Sequence, residues 1–211
     1  MSVTYPDDTV KQLISEGLHE AVQALGEEND VARIRLINTI GCFLLTHLTG
    51  TEYAPVSGAI EVRAGGEPFG LEASTPSEGK EHYVWIAGTD PDGALEFVDF
   101  GARYWPEWAQ AEGVRWNAET TPTMVWGPHP EIPEDLAVYT LDDSLSADVC
   151  EALDEFINSE TETIEAWEEA VNDAVDYLME TDEGVNFLVE AGIAEWGEDE
   201  DFEDEDNGAP Q

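Results

Sequence analysis

The chain has 211 residues, 42% of them apolar, and carries 49 Asp and Glu against 7 Lys and Arg, for a formal net charge of -42. The apolar content supports a sizeable core and excludes disorder throughout, while the absence of a basic patch to neutralise phosphates excludes direct nucleic-acid binding. No apolar run of membrane-spanning length is visible, the N-terminus "MSVTYPDDTV" lacks the basic and hydrophobic regions of a signal peptide, and a cytoplasmic protein with no membrane partner is therefore expected.

From Asp7 to Leu25, Val10, Leu13, Ile14, Leu18, Val22 and Leu25 fall on one helical stripe, with Asp7 or Asp8 to cap it and Gly26 to end it. "DVARIRLINTIGCFLLTHLTG" is apolar enough for a buried helix, but Gly41 interrupts it, so two helices meeting at Gly41 are expected, with Gly50 as terminator. A strand is expected at about Val56 to Arg63, then an exposed loop over residues 64 to 80. "HYVWIAGTDPDGALEFVDFGARYW", residues 82 to 105, reads as two strands joined by an acidic turn.

Residues 104 to 130, with Trp105, Trp108, Trp116 and Trp126 among prolines and glycines, are expected to form loops over a cleft or core edge. A short strand follows at 136 to 141, and helical spacing runs from about Ser144 to Ala194. The order of elements predicts an α+β domain over residues 1–196, a small antiparallel sheet packed on helices, with residues 197–211 as a disordered acidic tail. The excess carboxylates, spread over helices and loops as well as the tail, give a pattern that resembles halophilic proteins. At about 1 M salt the screening length falls to roughly 3 Å and self-repulsion largely disappears.

Asp99, between Val98 and Phe100, needs a partner, because a carboxylate taken out of water without one costs several kcal/mol on an order-of-magnitude scale. His82, at the start of the neighbouring strand, is the candidate partner. Cys42, directly after Gly41, would stand at a helix start where the dipole and free backbone amides favour a thiolate. The aspartate would orient the imidazole, and the imidazole would take the thiol proton and return it to a leaving amine.

The order Cys42, "APVSG" at 54 to 58, "HYVW" at 82 to 85 and "FVDF" at 97 to 100 resembles the transglutaminase-like branch of the papain-like cysteine hydrolases. That resemblance covers about residues 33 to 105. It implies Cys42 as nucleophile, His82 as general base and Asp99 as the residue that orients it, on a papain/transglutaminase-like core followed by C-terminal helices. The backbone N–H of Cys42 is the expected oxyanion donor, with Asn38 the nearest side-chain amide upstream.

The remaining candidates read as structural. Cys150 lies among carboxylates that oppose a thiolate, and with Cys42 it is too little for a disulfide framework in a reducing compartment. His47 is rotated away from Cys42, His19 borders the first stripe, and His129 sits between prolines; no zinc-ligand spacing appears, and no metal or cofactor is expected. The expected function is a cysteine hydrolase or acyltransferase that cleaves an amide or thioester bond in a peptide or amide substrate through an acyl-enzyme. The alternatives are a catalytically silent transglutaminase-like binding module and an acidic mimic of DNA.

Overall fold

A computed structural model describes residues 4–27, 29–72, 82–158 and 161–194. Helix α1 (Asp8–Ala24) starts where the Asp7 carboxylate accepts from the Val10 N–H, which satisfies one of the free amides of the first turn. Its apolar stripe buries Val10, Ile14, Leu18 and Val22. Helix α2 (Asp30–Thr49) is capped by Asn29, whose Oδ1 accepts from the Ala32 N–H, and ends at Gly50 with φ 66°.

The expected break at Gly41 is absent: α2 runs straight through it. The glycine is there for packing, since a Cβ at this position would lie 2.6 Å from the Phe100 ring. By length and composition α2 could cross a membrane. Here it is the central helix of the core, with Ile34, Ile37, Ile40, Leu44 and Leu45 fully buried against the sheet and the outer helices.

Six strands form one antiparallel sheet: β1 (Ala54–Val62), β2 (Phe69–Leu71), β3 (Tyr83–Thr89), β4 (Leu95–Asp99), β5 (Val125–Pro128) and β6 (Ala137–Leu141). Their order is β2-β1-β3-β4-β5, with β6 on the other edge of β1. The β3–β4 hairpin was legible; β2, inside the expected loop, was not, and residues 73 to 80 of that loop lie outside the described residues. Between β4 and β5 the expected loops give way in part to a 3-10 turn (Phe100–Tyr104) and helix α3 (Trp105–Ala111), which Trp105 and Trp108 anchor in the core.

Helix α4 (Asp143–Ile157) lies against β1. Helix α5 (Thr161–Met179) packs on α1 and α2, and α6 (Asp182–Glu190) on α5 and α1. The result is α+β, a small antiparallel sheet with helices packed around it, as the order of elements implied. The expected acidic tail, residues 197–211, lies outside the described residues.

Candidate functional site

Asp99 ends β4 and is fully enclosed, with 1% of its surface exposed. Its Oδ1 accepts from Asn38 Nδ2 and from the Gly101 N–H, both at 2.8 Å. Its Oδ2 accepts from the hydroxyls of Tyr83 and Tyr139, also at 2.8 Å. Two of the donors are themselves held: Asn38 Nδ2 also donates to Val84 O and its Oδ1 accepts from the Phe100 N–H, while the Tyr83 hydroxyl accepts from Trp105 Nε1. Burial pushes the Asp99 carboxyl above its ordinary range, against the pull of these four donors. The partner that Asp99 needs is therefore Asn38 and two tyrosines, in place of the expected His82.

His82 stands one residue before β3. In the β3–β4 register Ile86 faces Val98, so Asp99 lies level with Trp85, three residues from His82. That is about 10 Å along the strand, and alternation turns His82 to the face opposite Tyr83. Asn38, considered as an oxyanion donor from the sequence, is committed to three bonds inside the fold.

Cys42 sits in the middle of α2, twelve residues after its first residue, where the backbone amides are used by the helix. The residue is 5% exposed, and its thiol donates to Tyr53 O at 3.0 Å. Burial, helped by nearby Cys150, pushes it up to about 12. In the β1–β3 register Ala54, next to Tyr53, faces Ala87, five residues from His82. At ~3.3 Å per residue this puts the thiol end of β1 about 16 Å from the histidine end of β3. Cys42, His82 and Asp99 are thus not brought together, and the expected triad does not form. The single helix through Gly41 also leaves Cys42 away from any helix start that would activate it.

The two thiols have a different task. The half of β1 that β6 does not cover presents the carbonyls of Tyr53, Pro55 and Ser57 along one edge. Ser57 exchanges bonds with Ser146 in both directions, and its carbonyl also accepts from the Asp142 N–H. Cys150 Sγ donates to Pro55 O at 3.4 Å, and Cys42 Sγ to Tyr53 O. Asp142, Ser146 and Cys150 recur every four residues down α4, so one helix face closes a strand edge that would otherwise be left unpaired.

Beside this edge the helices part. A cavity of about 460 Å³ opens between α2, α4 and α5, walled by Phe43, Ile157, Ile164, Trp167 and Val171, with Glu168 at its rim. Phe43 is 37% exposed although it stands on the central helix, and its ring lies 6.4 Å from that of Trp167, which in turn lies 5.3 Å from Phe156. A second cavity of about 410 Å³ continues it toward Tyr53, Pro55 and both cysteines; Phe43, His47 and Ile157 line both. Among the described residues no group of three or more His, Cys, Asp or Glu is placed to hold a metal ion.

From sequence, Ile157, Ile164, Trp167 and Val171 read only as core stripe. The available signal was Phe43 in "CFLL", because a helix that is apolar all round has one face more than a sheet and a single helix layer can cover.

No family model and no curated protein matches this chain. One solved structure, described as the crystal structure of a genomics target, is similar over 82% of this chain and 82% of its own, with a TM-score of 0.53 and 13% identity. At that identity the likeness concerns the fold alone.

Proposed function

We propose that the protein is a binding module on a scaffold laid out in the transglutaminase-like order, catalytically silent at the position of that family's triad. The observation that carries this reading is the separation of Cys42 from His82 along the sheet, together with an Asp99 whose carboxylate oxygens are fully engaged elsewhere. A thiol held protonated by burial, with its hydrogen on a carbonyl, is a poor nucleophile at neutral pH. The open apolar cleft between α2, α4 and α5 supplies the surface for binding, since a concave site of ~300–1,000 Å³ is the size that takes ligands or partner side chains.

Haloacetamide labelling followed site by site tests the silent half of this reading. In the folded protein Cys150, half-buried and on the longer bond, should react first, and Cys42 only as the protein unfolds. Rapid labelling of Cys42 that His82→Ala slows without unfolding the chain would restore the hydrolase.

A further inference from the structure

We infer that the cleft between α2, α4 and α5 receives a cationic amphipathic segment of another polypeptide, a helix with apolar residues on one side and Lys or Arg on the other. This rests on the reading of the protein as a binding module and names its partner.

The walls argue for the apolar side. Phe43, Ile157, Ile164, Trp167 and Val171 come from three helices and leave a trough between them, the setting in which an apolar helix face is received by anchors at i, i+3, i+4 and i+7. Two rings in van der Waals reach of the same trough, Phe43 and Trp167, give it the rigid amphipathic surface on which binding energy concentrates.

The charge argues for the cationic side. Helix α4 contributes five carboxylates and α5 six, with no Lys or Arg in either. The sequence is divided at this point: all seven Lys and Arg precede Trp116, so every charged side chain of α4, α5 and α6 is acidic. Arg33 and Arg35 stand in the first turns of α2, about 12–15 Å along the axis from Phe43 and farther still from His47. At the cleft itself Glu168 and Asp154 line the two cavities.

A fatty acid or anionic lipid would bring its carboxylate or phosphate against these groups, and a neutral apolar ligand would leave their charge unused. A cationic helix meets both the trough and its rim, and opposite charge also speeds encounter.

The test uses the full-length protein and an 18-residue helical peptide with Leu and Phe on one face and Lys on the other. Two comparison peptides carry Glu in place of Lys, or Ser in place of Leu and Phe. Affinities are measured by calorimetry at about 0.2 M and 2 M KCl; at the higher salt the screening length is below about 3 Å and the apolar share of binding remains.

The Lys amphipathic peptide should bind at least tenfold tighter than either comparison at low salt and keep its lead over the Ser peptide at high salt. Ile164→Ser should weaken it about tenfold with the circular dichroism unchanged. Glu168→Lys, at an exposed position, should narrow the gap between Lys and Glu peptides from both sides.

Equal affinity for Lys and Glu peptides would overturn the proposal, as would a Ser peptide that binds as tightly as the apolar one, or binding that neither variant moves. So would a dimer of the protein that Glu168→Lys disperses, because the occupant would then be a second copy. Fast labelling of Cys42 bears on the silent reading alone and leaves these outcomes to be judged separately.

Discussion

The surroundings of Asp99 and the cleft beside Cys42 lie on opposite sides of one question, namely which buried groups are finished and which are waiting. At Asp99 both carboxylate oxygens are engaged: two tyrosine hydroxyls, an amide and a backbone N–H converge on one carboxylate, and an indole holds one of the tyrosines. Beside Cys42 the thiol is also satisfied, but the apolar side chains are not, since Phe43 and Trp167 face open space. A closed polar network fixes a fold, because each member would be costly without the others. An open apolar wall leaves free energy to be gained from a partner.

A second buried carboxylate on the same strand makes the contrast sharper. Glu96 is fully buried and accepts from the hydroxyls of Tyr5 and Tyr53, and Tyr53 reaches it by lying over Gly88, where a Cβ would come within 2.5 Å of its ring. Strand β4 therefore carries two acids, each met by a pair of tyrosines from other elements. Both serve to join segments distant in sequence: Tyr5 before α1, Tyr53 before β1, Tyr139 on β6 and Asn38 on α2.

The largest expected effect is at the closed site. Asp99→Ala removes the shared acceptor from four donors in a fully enclosed space, and should cost about 3–5 kcal/mol in a denaturant titration, enough to leave the chain partly unfolded. Asp99→Asn keeps one acceptor oxygen and should cost clearly less. A loss below about 1 kcal/mol for the alanine variant would mean that the network holds nothing together.

How much of this the sequence revealed depends on the range of the interaction. Helix α1, the β3–β4 hairpin and β6 follow from local periodicity and turn chemistry, and that an aspartate between Val98 and Phe100 needs a partner follows from the cost of burial alone. The identity of the partner does not. Asn38 and Tyr139 lie 61 and 40 residues from Asp99, and only the packing of α2 and β6 against the sheet brings them there. Gly41 misled for a related reason: a glycine before a cysteine has the appearance of a helix start, and the Phe100 ring that requires it comes from the turn after β4, far along the chain.

A smaller effect separates the charged and neutral forms of the same network. Burial raises the Asp99 carboxyl in the folded state above its ordinary value of 3.8, so the folded chain binds that proton more readily than the unfolded one. The linked stability is present in full below the unfolded value and is lost as pH rises through the folded value. Wild type should therefore gain stability relative to Asp99→Asn as pH falls from 7 toward 4, by no more than about 1.4 kcal/mol per pH unit. The comparison with the Asn variant cancels the other carboxylates, whose titration is common to both chains. A difference that stays flat, or grows in the opposite direction, would show a carboxylate stabilised by its four donors more than it is penalised by burial.

The smallest effect lies at Cys42, and it bears on what the thiol is for. If the sulfur serves as a donor that closes the Tyr53 carbonyl at the strand edge, then serine, which also donates, should replace it better than alanine. Both substitutions remove the sulfur and leave a similar gap, so the cost of lost packing largely cancels between them. The remaining difference, about 1 kcal/mol in favour of Cys42→Ser, is the cost of leaving a buried carbonyl without its bond. The same pair of variants at Cys150, where the bond to Pro55 is 3.4 Å and the thiol only half-buried, should differ by less, because water can reach that carbonyl more easily. Equal stability of the Ser and Ala variants at position 42 would reduce the thiol to a filler of the core. A larger advantage for serine there than at position 150 would place Cys42 with Ser146 among the side chains that keep the edge of β1 from pairing with anything else.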